Sequence, residues 1–120
     1  MASPDPSKVD TRYEDGLRLA RAGAFFEAHE AFEDAWRVCA DEERDFFQGL
    51  VHVAVAWYQA GRDRPVATAS QLEKAARRLA PFAPEHREVD VADVLEQVER
   101  AQARVADGSL DLDPPNLPSL

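Results

Sequence analysis

The sequence predicts an all-α protein, a compact bundle of about five helices built from two antiparallel helical hairpins plus a C-terminal helix. Ala, Glu, Arg, Leu and Gln, which favour helix, are frequent, and clusters of β-branched residues are few. Apolar residues recur at intervals of three and four along successive segments that glycine or proline separates. The chain has 120 residues, which is enough for one domain with its own core.

The first hairpin follows a short polar segment. Residues 1–9 contain two prolines and are expected to form a flexible N-terminal arm. A first helix is predicted over residues 10–22, with Asp10 suited to its N-cap. Gly23 then breaks the apolar pattern, and a second helix is predicted over residues 24–39.

Similar signals delimit the second hairpin and the last helix. A third helix is predicted over residues 41–60, with an aspartate at its start and a glycine after its end. A fourth helix, over residues 65–81, starts with proline, and a fifth, over residues 90–106, again starts with aspartate. The single helical domain therefore covers residues 10–107. Residues 108–120 include three prolines and are expected to form an extended or disordered tail.

Charge and cysteine content exclude several classes of partner. The net charge of −9 provides no basic surface for nucleic acid or anionic lipid, so neither partner is expected. The longest apolar stretch, near residues 50–58, is too short to span a membrane. The start of the chain lacks the features of a signal peptide, and the single cysteine, Cys39, has no internal disulfide partner. We therefore expect a cytoplasmic protein.

Two apolar patterns indicate helix contacts and favour a function in binding. On the third helix, apolar residues cover well over a third of the circumference, which predicts a central position: Phe46, Phe47, Leu50, Val53, Ala54, Trp57 and Tyr58. On the fifth helix, a narrow seam suits packing against a helix of this chain or of a second copy: Val91, Val94, Val98, Ala101 and Val105. The preferred hypothesis is a non-enzymatic module without a cofactor that binds a protein partner or self-associates.

The segment over residues 29–36, His-Glu-Ala-Phe-Glu-Asp-Ala-Trp, contains the most chemically informative residues. On a helix with about 100° per residue, His29, Glu33 and Trp36 fall within about 60° of one another. Aromatic residues flank them, so we expect this face to be buried. A buried titratable pair costs free energy unless it is hydrogen-bonded or metal-bound. We predict a buried polar cluster in which a His29–Glu33 hydrogen bond is tied to Gln48 or to a backbone group and holds the second and third helices in register.

The same residues allow a chemical role as the alternative. His29 and Glu33 are four residues apart and suit one divalent metal ion, with His52 as a third ligand from the next helix. A small metal-dependent or acid/base enzyme, hydrolase-like, would be centred on His29, Glu30 and Glu33, with Gln48 and His52 orienting a ligand or water. The zinc-protease pattern needs His where Glu33 stands, and paired Glu-x-x-His motifs are absent. The hydrogen-bonded cluster is therefore preferred.

Two resemblances support a helical fold. The spacing of Gly23, Phe25, Ala28, Phe32 and Ala35 resembles the second half of a tetratricopeptide repeat, in which small residues let paired helices nest. The segments over residues 26–36 and 47–54 together resemble domain of unknown function family 309, whose hallmark is an aromatic-Glu-Ala-His-Glu-x-x-Glu-x-x-Trp segment and a Gln-Gly-Leu-Ile-Gln-like helix. This second resemblance covers about residues 12 to 80. It implies an all-helical fold and no established activity.

Overall fold

Five α-helices form most of the chain over residues 3–117, the part that this computed structural model describes. The helices are α1 (Pro6–Arg21), α2 (Phe25–Val38), α3 (Arg44–Gly61), α4 (Pro65–Leu79) and α5 (Val91–Ala106). Single turns of 3-10 helix, Asp41–Glu43 and Ala80–Phe82, precede α3 and follow α4. Helices α1 and α2 form one hairpin and α3 and α4 another, with α5 as a C-terminal addition. The predicted fold class is confirmed.

Helix α3 packs against both α2 and α4, so it lies at the centre of the bundle. Ten of its residues are buried, among them Phe46, Phe47 and Leu50. The valine seam of α5 packs against α4 in the same chain, and Val91, Val94 and Val98 are all buried. Both apolar patterns that favoured a protein partner are therefore used inside this fold.

The first helix begins at Pro6, four residues before the predicted start, because Asp5 rather than Asp10 is its N-cap. The Asp5 side chain accepts a hydrogen bond from the backbone N–H of Lys8 at 3.2 Å. Proline suits the first position of a helix, since its missing N–H has no partner there. The predicted flexible arm of residues 1–9 therefore overlaps the first turn of α1, while residues 1 and 2 lie outside the described part.

A short antiparallel hairpin separates α4 from α5 and was not predicted. Its two strands are β1 (Glu85–His86) and β2 (Val89–Asp90). The two turn residues, Arg87 and Glu88, have φ values of 49° and 63°. Turns of this kind usually show Asn-Gly or a similar pair in the sequence, and here they do not. The hairpin holds Arg87 close to α1 and to the start of α3.

Two further features concern the C-terminal segment and the membrane. After α5, residues 109–117 contain neither helix nor strand and fold back onto the bundle, with Leu117 buried. The rest of the predicted tail, residues 118–120, lies outside the described residues. In the part of the chain described, no helix is long and apolar enough to cross a membrane.

Candidate functional site

The face that α2 buries consists mainly of small residues. Ala28, Ala31, Phe32 and Ala35 point into the bundle and are almost completely inaccessible to solvent. Phe25, Phe26 and Trp36, which the sequence predicted to be buried, lie at the rim of this face. Phe26 is 46% exposed.

His29 and Glu33 are therefore half-exposed rather than buried, with side-chain exposures of 22% and 35%. His29 Nδ1 lies 2.6 Å from the carbonyl oxygen of Phe26, so this nitrogen donates a hydrogen bond to its own helix. His29 Nε2 lies 3.6 Å from Glu33 Oε2, and Glu33 Oε1 accepts a hydrogen bond from Arg37 at 2.5 Å. The prediction that this pair is buried was wrong, because the contact face is lined by three alanines and Phe32, not by the arc of α2 that contains Phe26 and Trp36.

The other predicted site residues do not converge on this pair. Trp36 is half-buried at the rim of α2, with the Arg44 guanidinium 4.4 Å from its ring. Glu30 is exposed. Gln48 is half-buried on α3, and within residues 3–117 it forms no hydrogen bond with His29 or Glu33. The predicted cluster across the helix pair is therefore not formed.

His52 points to a different neighbour. Its Nδ1 lies 2.7 Å from Gln71 Oε1 on α4, on the side of α3 that packs against that helix. Among the described residues, no three His, Cys, Asp or Glu side chains are close enough to hold a metal ion. The proposed ligands His29, Glu33 and His52 are accordingly not brought together.

The burial of His52 makes a testable prediction about pH. Burial lowers the pKa of His52 below its ordinary value of 6.5, and nearby Lys74, Arg78 and Arg77 lower it further, against the hydrogen bond with Gln71. Below the ordinary pKa of histidine, the folded state therefore binds fewer protons than the unfolded state. The neutral His52 makes its full contribution to the free energy of unfolding above about pH 6.5, and this contribution is lost as the pH falls below that value.

We expect the free energy of unfolding, measured by urea denaturation between pH 8 and pH 5, to fall less steeply in His52→Gln than in the wild type. The difference between the two curves isolates the contribution of this histidine. Two curves with the same slope below pH 6.5 would show that His52 titrates as it does in the unfolded chain.

A pocket of about 430 Å³ opens between the start of α2 and the end of α3. Its walls are mainly aromatic and its edges are charged: Phe25, Phe26, Glu27, Trp57, Tyr58 and Arg62, together with Gly23, Ala24 and Gly61. The ring centroid of Phe26 lies 5.5 Å from that of Tyr58 and 5.0 Å from that of His29. His29 therefore packs against the Phe26 wall of this pocket. We refer to it as the aromatic pocket.

A comparison with known protein families finds a match that includes this part of the chain. Residues 13–70 match the family model described as Domain of unknown function (DUF309). Residues 13–70 form a DUF309 domain. The match includes α2 and α3 and so both walls of the aromatic pocket, whereas α5 and the C-terminal segment lie beyond it. No curated protein matches the chain.

The hairpin outside the DUF309 match supplies a second polar cluster. Arg87 donates two hydrogen bonds to the carboxylate of Glu43, one from Nε and one, of 2.8 Å, from Nη2. Its Nη1 also donates to Asp10 Oδ1 at 3.0 Å. His86 Nε2 lies 2.9 Å from Glu43 Oε2. The cluster joins α1, the turn before α3 and the hairpin.

Aromatic rings enclose this cluster in the DUF309 protein. The His86 ring lies 4.6 Å from that of Phe46, and the Arg87 guanidinium lies 5.2 Å from the ring of Phe47. The guanidinium of Arg87 holds the pKa of Glu43 below its usual range, although burial opposes this. Glu43 and Arg87 are far apart in the sequence and belong to no motif, so only the fold reveals their pairing. The fully engaged carboxylate and guanidinium indicate a structural clamp.

Proposed function

We propose that this DUF309 protein is a non-enzymatic binding module and that the aromatic pocket is its docking site for a protein partner. The observation that carries the proposal is the exposure of Phe26. Large aromatic side chains are normally buried, and an exposed one at the wall of a pocket is typical of an interaction surface. Tyr58 beside it offers an amphipathic ring, a type of side chain enriched in protein interfaces.

The charges around the pocket indicate the chemistry of the partner. Glu27 lines the pocket, and Glu30 is exposed on the next turn of α2. Neither carboxylate forms an ion pair with another side chain in the described part of the chain. Arg62, which also lines the pocket, lies with its guanidinium over the Tyr58 ring. The protein as a whole has a net charge of −9. A complementary partner carries Lys or Arg opposite these carboxylates and an apolar side chain that enters beside Phe26 and Tyr58.

The geometry supports binding more than acid/base catalysis. Glu33 is already engaged by Arg37, and His29 Nδ1 is used within its own helix. Gln48 and His52, which would have oriented a ligand or water, lie on other parts of the α3 surface. The pocket is lined instead by aromatic rings, with charged side chains at its edges. Surfaces of this composition are typical of protein interfaces, where they contact side chains of a partner.

A matched pair of charge substitutions tests this proposal. Phe26→Asp places a carboxylate at the pocket wall, whereas Val66→Asp places one at the other large exposed apolar side chain of the described residues, which lies on α4 and is 82% exposed. We expect the wild type and Val66→Asp to bind the same partner with similar affinity. Phe26→Asp should bind it at least tenfold more weakly. The binding constant is measured by calorimetry with the purified partner, after circular dichroism shows that both variants are folded.

The electrostatic part of the proposal has its own readout. Glu30→Lys should weaken the same partner several-fold at low salt, and less so at high salt, because exposed charges are screened. Equal affinity of wild type and Phe26→Asp would rule the pocket out as the docking site. A dimer seen by light scattering that Phe26→Asp dissociates would identify the occupant as a second copy of the chain.

A further inference from the structure

The C-terminal segment, residues 109–117, lies in a groove between Trp57 on α3 and the exposed side of α5. Gly108, with a φ of 89°, reverses the chain after α5 and starts the segment. Trp57 Nε1 donates a hydrogen bond to the carbonyl oxygen of Asp113 at 2.8 Å, directly before Pro114 and Pro115. Prolines fix φ near −65° and keep the preceding residue extended, so this part of the segment is stiff.

Side chains of the helices hydrogen-bond the backbone of the segment, and one long ion pair, Arg104–Asp113 at 4.0 Å, reaches a side chain of it. Gln97 makes two bonds to Asn116, donating to its carbonyl oxygen at 2.6 Å and accepting from its N–H at 2.7 Å. Arg104 donates to the carbonyl oxygen of Asp111 at 3.0 Å, and Arg21 to that of Leu117 at 2.8 Å. Contacts of this kind recognise an extended backbone of varied sequence, as in proteins that bind proline-rich peptides.

Few side chains of the segment anchor it. Pro115 and Leu117 are buried, while Asp111, Asp113 and Pro114 are exposed. A cavity of about 500 Å³ remains beside the segment, lined in part by Gln97, Arg100 and Arg104. Arg100 forms no ion pair in the described part of the chain, although the segment carries two aspartates. The segment therefore occupies the groove without filling it.

We propose that this groove is a recognition site for an extended, proline-containing acidic segment of a partner protein, and that the chain's own C-terminal segment occupies it in cis. The bound segment defines the chemistry of the partner. Two consecutive prolines follow the residue whose carbonyl accepts from Trp57, and an aliphatic side chain lies two residues after them. The acidic side chain of Asp113 lies 4.0 Å from the Arg104 guanidinium. The inference does not depend on the aromatic pocket, although Trp57 borders both sites.

Competition in solution follows from mass action. A segment tethered by a short linker has an effective concentration on the order of millimolar at its own site. A free peptide that makes the same contacts therefore replaces half of the tethered segment when its concentration reaches about that value. Weakening the tethered segment alone lowers the concentration that the free peptide needs.

Fluorine NMR of the full chain labelled with 5-fluorotryptophan tests this competition. The chain has two tryptophans, so Trp57 reports on the groove and Trp36 provides an internal reference. The probe is a synthetic peptide with the sequence of residues 110–117. We expect a saturable change of the Trp57 resonance with a midpoint in the millimolar range, and a weaker response to a peptide with alanine in place of both prolines.

Two variants make the test decisive. Leu117→Asp removes a side chain that is 1% exposed and should lower the midpoint at least tenfold, whereas Glu99→Gln, at an exposed side chain of α5 outside the groove, should leave it within about twofold. A Trp57 resonance that does not respond to 5 mM peptide in a folded Leu117→Asp variant would overturn the proposal. Hydrogen exchange of the wild type gives an independent readout. The segment amides should exchange faster than those of α3, and equal rates would show that the segment opens only on global unfolding.

Discussion

Replacing Arg87 with alanine is expected to lower the free energy of unfolding by about 3 kcal/mol. Arg87 forms a two-point ion pair with Glu43 and a further pair with Asp10. The side chains of Glu43 and Arg87 are only 21% and 24% exposed, so removal of the guanidinium leaves a half-buried carboxylate without its main partner. The substitution also removes the cation that lies over the rings of Tyr13 and Phe47.

Urea denaturation of three arginine variants measures this effect. Arg77→Ala is the matched control, because Arg77 is exposed on α4 and its ion pair with Glu73 is long, at 3.6 Å, so we expect a change below about 0.5 kcal/mol. Arg87→Lys should fall between the two, since lysine keeps the charge but not the two-point geometry. A loss for Arg87→Ala no larger than that for Arg77→Ala would mean that the cluster adds no net stability.

The cluster around Glu43 and Arg87 also shows which parts of the structure the sequence did not predict. The helices were predicted because apolar periodicity, caps and glycines are local signals, and α5 begins after Asp90 as expected, with the Asp90 side chain accepting from the backbone N–H of Asp93. The hairpin lacked such a signal, because Arg87 and Glu88 adopt positive φ without glycine or asparagine. The pairing of Glu43 with Arg87 depends on that hairpin. It was therefore not predictable without the fold.

His29 and Glu33 lie on α2 as predicted, but at the rim of its packing face rather than within it. Two arcs of the helix are apolar, one of alanines with Phe32 and one that contains Phe26 and Trp36. We took the larger side chains as the core, whereas close helix contact selects the smaller ones. The spacing that resembles a tetratricopeptide repeat, with Ala28 and Ala35 at its small positions, indicated this nesting. As a result, His29 and Glu33 lie at the rim of α2, where His29 packs against Phe26 of the aromatic pocket.

Substitution of Gly16 by alanine tests how tight this helix contact is. A Cβ atom at Gly16 on α1 would lie 2.4 Å from Cε1 of Phe32, which is 1% exposed and has little room to move. Alanine favours helix over glycine by about 1 kcal/mol, but overpacking of a buried contact costs more than this. We expect a net loss of about 2 kcal/mol in the free energy of unfolding, measured by urea denaturation.

Gly61→Ala is the control for Gly16→Ala, because a Cβ atom at the end of α3 meets no atom within 4 Å. It should be neutral or slightly stabilising. Phe32→Leu should cost less in the Gly16→Ala background than alone, since a smaller side chain relieves the clash. If Gly16→Ala were as stable as the wild type, the contact between α1 and α2 would accommodate the added methyl group without a net cost in free energy. Because Phe26 lies on the same helix as Phe32, a displaced α2 would also change the distance between Phe26 and Tyr58, so the alanine face of α2 sets the shape of the aromatic pocket.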